Sequence, residues 1–189
     1  MSTGIFFLIQ STFYIVLLAI IFFLKKNLES EENKMYKALI ITTLIETVIE
    51  ILLDILGPLY FKIPYISYPL AKIYCVLIIL WNCLLCEYVV IISIKIKNKK
   101  ELLGISKIIF LSCIIFGLLT IILPIEFHYD QSIAYTYGMS VNICYISSIL
   151  YASIGTICMV WNYKNIRDKR FIPTILLITL GSSCAIIQY

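Results

Sequence analysis

Charge is scarce in this chain. Asp, Glu, Lys and Arg make up 14% of its 189 residues, where soluble domains carry about a quarter. Histidine is scarcer still: His128 is alone. A His-rich metal set is therefore excluded, and a nucleophile paired with histidine has only one candidate base. The seven glycines form no Gly-rich loop, which removes the P-loop and the dinucleotide fingerprint, and no zinc-protease motif, serine elbow or phospho-accepting histidine block occurs. The first apolar stretch lacks a basic leader and a small-residue cleavage site. Its basic pair, Lys25-Lys26, follows it, so it does not read as a secretory signal. The formal net charge of +4 comes from lysines and arginines at segment ends, where anionic lipid explains them better than nucleic acid.

What is present is hydrophobic residue, 61% of the chain, with a mean hydropathy of +0.99. One small soluble core cannot hide that much, so lipid must cover it. Six apolar segments stand out, at about residues 4–24, 38–56, 70–94, 105–123, 138–163 and 172–189. Each is near the roughly 20 residues needed to cross about 30 Å of hydrocarbon. Gly57-Pro58 and Pro124 act as helix stops. No alternating pattern suggests a β-barrel. The expected fold is an all-α, polytopic bundle of six transmembrane helices forming a single domain over 1–189, with residues 59–69 and 125–137 as loops.

Thirteen of the 15 basic residues lie in or beside three gaps: Lys25, Lys26, Lys34 and Lys37; Lys95, Lys97, Lys99, Lys100 and Lys107; and Lys164, Arg167, Lys169 and Arg170. The positive-inside rule places loops 25–37, 95–104 and 164–170 in the cytoplasm and the N-terminus outside. Tyr60, Tyr65, Tyr68, Tyr129, Tyr135 and Tyr137 gather at the opposite ends, as an interfacial belt does. Six crossings leave both ends outside. An odd seventh helix, absent from this chain, would return the C-terminus to the cytoplasm.

Polar residues within the segments are the candidates for function. Glu46, Glu50 and Asp54 recur at i, i+4 and i+8 in the second segment, with Thr43 and Thr47 beside them. A charge near mid-bilayer costs roughly 2.5 kcal/mol or more, so the three acids are expected to face the bundle interior, with Glu50 neutral or paired. A proton relay, a cation site or a polar-ligand contact fits this ladder as well as interhelical hydrogen bonding by neutral acids. Glu87 lies eight residues before Lys95, and Glu46 nine after Lys37; both fall about 12–14 Å from the lysine-rich end by helical rise and could meet at one depth. For Lys72, a salt bridge to Asp54 competes with snorkelling to the interface. In the fifth segment Ser148, Ala152 and Gly155 form a close-packing surface, while Asn142 and Tyr145 either pack or line a ligand pocket. The seven cysteines all fall in apolar segments. Cys83 and Cys86 have the spacing of a zinc half-site but lack a second pair, so the cysteines read as apolar filler and no metal or other cofactor is expected.

The segment Tyr135-Thr136-Tyr137-Gly138-Met139-Ser140-Val141-Asn142-Ile143-Cys144-Tyr145-Ile146 resembles a Tyr-Gly-Pro-(Ser/Ala)-Val-Asn-x-x-Tyr-Ile stretch in the N-terminal membrane sensor domains of Firmicutes-type sensor histidine kinases. Lys164 to Pro173 resembles their Asn-Ile-Lys-Asn-Lys-Lys-Tyr-Ile-Pro loop, and Ile186-Ile187-Gln188 the close of their sixth span. Met139 departs from the pattern, standing where proline is expected. The resemblance implies a roughly seven-helix bacterial sensory input domain in the cell membrane, coupled through two-component signal transduction to a cytoplasmic effector. It implies no enzyme within this chain. The partners it implies are the bilayer, a small-molecule or peptide stimulus and a second copy in a homodimer. Glu46, Glu50, Asp54, Lys72, Glu87, Asn142 and Tyr145 are the candidate binding or coupling residues. A small ion-coupled transporter or channel subunit using the acid ladder is the first alternative, and a membrane scaffold the second.

Overall fold

A computed structural model describes residues 3–24, 31–56, 63–93, 99–130 and 133–161. The expected sixth span and the loop at 164–170 lie outside the described residues. Five helices account for most of the rest: α1 (Thr3–Leu24), α2 (Glu31–Leu56), α3 (Pro64–Ser93), α4 (Lys99–Ile122) and α5 (Met139–Trp161). Three of them are long and apolar enough to cross a membrane: α3, α4 over Gly104–Ile122, and α5. The 30 residues of α3 rise about 45 Å, well beyond the hydrocarbon thickness.

The helices run further than the apolar segments. α2 begins at Glu31, α3 at Pro64 and α4 at Lys99, so parts of the expected loops 25–37, 59–69 and 95–104 are helical. Apolar length measures the hydrocarbon, whereas a helix continues while its residues tolerate it. Pro64 occupies the first position of α3, where its missing N–H would have no helical partner in any case.

The expected loop 125–137 contains an antiparallel hairpin, β1 (Glu126–Asp130) and β2 (Ile133–Tyr137), with Glu126 opposite Tyr137 and His128 opposite Tyr135. Its aromatic and β-branched residues favour a pleated surface. Phe127 turns inward onto the core between exposed Glu126 and His128. The His128 ring lies 4.9 Å from that of Tyr135. The Tyr137 phenol hydrogen-bonds the Glu126 carboxylate, whose charge holds it above its ordinary pKa.

α3 is the central element and packs against α2, α4 and α5. The core is built largely from small residues: Ala71, Cys75, Cys83 and Cys86 of α3 meet Cys113 of α4 and Cys144 of α5. All six described cysteines are free thiols. α5 turns Ser140, Cys144, Ser147, Tyr151, Gly155 and Met159 inward, one face of a helix at spacings of three and four. Its outward residues include Ile146, Ile149, Ile157 and Val160. α2 repeats the arrangement: Thr42, Thr47 and half-buried Glu46 and Glu50 lie inward, and Ile41, Ile45, Val48 and Leu52 lie outward. Several inward hydroxyls are satisfied within their own helices, whereas the buried Ser93 Oγ and Thr120 Oγ1 have no hydrogen-bond partner among the described residues. Thr42 donates to the Ala38 carbonyl at 2.9 Å, Thr47 to Thr43 at 2.8 Å and Ser147 to Cys144 at 2.9 Å. Polar atoms inside and branched aliphatics outside are the reverse of a soluble bundle and suit a surrounding of lipid.

The turn from β2 into α5 depends on Gly138. Its φ is 109°, and a Cβ there would lie 3.3 Å from the Pro124 carbonyl oxygen. That same carbonyl accepts the Ser140 N–H at 3.1 Å, so the chain cannot move away without losing a bond. Gly138→Ala is expected to destabilise the protein by about 2 kcal/mol, measured as a lowered unfolding midpoint in detergent micelles.

Candidate functional site

Two charged side chains are buried among the described residues, Lys72 at 7% exposure and Glu87 at 4%. They mark opposite ends of α3, and each is held by α4.

At the hairpin end, the Lys72 Nζ donates to the Thr120 carbonyl at 2.7 Å, to the Leu123 carbonyl, and to the Ser140 Oγ at 2.7 Å. Three acceptors saturate an ammonium. The sequence explains why the acceptors are there. Residue 124 would normally donate its N–H to the Thr120 carbonyl, four residues back. Pro124 has none, so Thr120 is orphaned at the partly negative end of α4. Lys72 supplies the missing donor together with Ser140, whose hydroxyl reaches the Thr120 carbonyl at 2.5 Å. The Tyr68 ring lies 5.6 Å from the same ammonium. Lys72 therefore neither bridges to Asp54 nor snorkels to the interface, the two outcomes expected from the sequence.

At the lysine-rich end, the Ser106 hydroxyl donates to the Glu87 Oε1. Glu87 thus turns to α4, and the expected meeting of Glu87 with Glu46 does not occur. Between the two ends, further polar ties span the helix interfaces. The Trp81 indole donates to the Thr43 Oγ1 at 2.9 Å, joining α3 to α2. The Asn82 amide donates to the Ser148 Oγ at 3.0 Å, joining α3 to α5. The Ser112 and Tyr151 hydroxyls lie 2.9 Å apart, joining α4 to α5.

The acid ladder divides. Glu46 and Glu50 are half-buried, and Glu50 hydrogen-bonds Tyr74 of α3. Asp54 is exposed, contrary to its expected inward position. Steps of four residues on a 3.6-residue helix drift about 40° each, so Asp54 lies about 80° round from Glu46. Its place two residues before the end of α2 lets it reach the interface. Asn142 is also exposed, while Tyr145 is half-buried, so α5 does not bring the two together in one interior pocket among the described residues. No group of three or more His, Cys, Asp or Glu among the described residues could hold a metal ion.

Sequence reasoning missed Ser106, Tyr74, Ser140 and the carbonyls of α4. The one available signal for the last was Pro124, which announces an unpaired carbonyl four residues earlier. No protein-family model, curated protein or solved structure matches this chain. Lys72→Met should remove about 3 kcal/mol of stability, because it strands buried acceptors. Ser140→Ala should remove about 1 kcal/mol. Denaturant titration in mixed micelles checks both values and their order.

Proposed function

We propose that this chain is a six-span membrane sensory input module, of the kind that serves sensor histidine kinases, with loops 25–37, 95–104 and 164–170 in the cytoplasm and the N-terminus outside. The single observation that carries this reading is the polar seam between α2 and α3. Glu46 and Glu50 lie half-buried along it, with Tyr74 bonded to Glu50 and Trp81 bonded to Thr43. It lies within a bundle whose outward faces are apolar. Such a seam holds two helices by a few exchangeable hydrogen bonds rather than by close packing alone. A stimulus that binds one arrangement better shifts the population between two packings. The lysine partition supports the orientation, and the likeness of residues 135–146 to kinase sensor domains supports the class of output, a cytoplasmic effector outside this chain.

Ion-coupled transport is the second reading, favoured by the same seam, because two carboxyls one helical turn apart and a phenol can pass a proton. Proteoliposome flux with and without protonmotive force separates them: the sensory reading expects none, and proton-driven uptake would replace it.

Two further outcomes are expected. A thiol introduced by Lys97→Cys should react with an impermeant maleimide only after the membrane is permeabilised, and one introduced by Tyr65→Cys should react in intact cells. The reverse pattern would invert the orientation. In the full-length protein, Glu50→Gln should shift the stimulus threshold severalfold. Normal signalling by both Glu50→Gln and Asn142→Ala would remove these residues from any sensory role.

A further inference from the structure

α2 and α4 both rest on α3 but leave a gap between them at the lysine-rich end. The gap is an open groove of about 620 Å³. Leu84 and Glu87 of α3 form its floor. Ala38 lines it on the α2 side and contributes only a methyl group. Phe110, Leu111 and Ile114 line the α4 wall and are exposed along their outer edges, so the cleft opens sideways towards the surface that lipid would cover. Two cations, Lys34 and Lys107, line the same cleft and are exposed. Among the described residues of the lining Glu87 is the one acid, and its Oε1 accepts from the Ser106 hydroxyl.

We propose that this cleft binds an anionic phospholipid, with its phosphate at Lys34 and Lys107 and one acyl chain against Ala38, Phe110, Leu111 and Ile114. The described lining combines what such a molecule needs: an apolar channel open to the side, with two lysines against one carboxyl. The lysine stems are long enough to carry their ammonium groups to headgroup depth.

This inference rests on the chain being a membrane protein, and the test separates the two. The full chain is purified in mild detergent and offered phosphatidylglycerol, phosphatidylcholine or inorganic phosphate, with bound mass read by native mass spectrometry. Phosphatidylglycerol should be retained in preference to phosphatidylcholine. The Lys34→Gln/Lys107→Gln double variant should lose about 30-fold of that preference, the effect of two lysines near an anionic surface. Ala38→Phe, which narrows the cleft and leaves both lysines, should release the lipid while the helix content stays unchanged. Equal retention of the two lipids, an unaffected double variant, undiminished binding in Ala38→Phe, or displacement by phosphate alone would each overturn the proposal. If the chain leaves membranes under alkaline carbonate, the membrane reading itself is wrong. If it needs detergent yet shows no lipid preference, only the cleft proposal is.

Discussion

A lysine ammonium that closes the end of a neighbouring helix is the interaction on which the hairpin end of this bundle depends. Pro124 ends α4 and leaves the Thr120 carbonyl without its backbone donor. In water such a carbonyl would be hydrated. Inside an apolar bundle it must find a protein partner, and Lys72 provides one from α3 while binding Ser140 of α5 with another proton. Three helices thus meet at one nitrogen. Gly138 serves the same junction from the backbone side, because only a residue without Cβ passes so close to Pro124 and still delivers Ser140.

The remainder of the bundle solves the same problem with smaller means. Many serine and threonine side chains bond carbonyls of their own helices, which removes their need for water. Interhelical ties among the described residues include Thr43 with Trp81, Glu50 with Tyr74, Asn82 with Ser148, Ser112 with Tyr151 and Ser106 with Glu87. In lipid, apolar contact between helices has little advantage over contact with acyl chains. Those bonds and the fit of small residues along α3 therefore hold the arrangement, and exchanging one of them offers a way to change it.

The apolar cores of the described helices were legible from hydropathy, because hydrocarbon thickness leaves a direct imprint on composition. Helix ends were not, since α2, α3 and α4 extend through polar or proline-bearing sequence that hydropathy reads as loop. The hairpin was hidden by Glu126, His128 and Asp130, whose polarity suggests a loop although they alternate with Phe127 and Tyr129. Pairing Lys72 with Asp54 failed because formal charges dominate a reading of sequence, while the partial charge at a helix end has no letter of its own. The inward placement of Glu46 and Glu50 followed from their spacing; that of Asp54 did not, because the drift of a 3.6-residue helix accumulates over two steps.

The junction at Lys72 also has a bearing on how the chain is assembled. The nearest of its acceptors, the Thr120 carbonyl, lies 48 residues downstream, and Ser140 lies 68 downstream. At ribosomal rates of about 5–20 residues per second, several seconds separate the synthesis of the ammonium from that of its partners. For a chain inserted as it is made, α3 must wait with a solvated lysine at the bilayer edge. It can settle to its final depth only once the end of α4 and the start of α5 have emerged. The order of synthesis thereby becomes an order of docking, in which the central helix settles only when the end of α4 and the start of α5 have arrived.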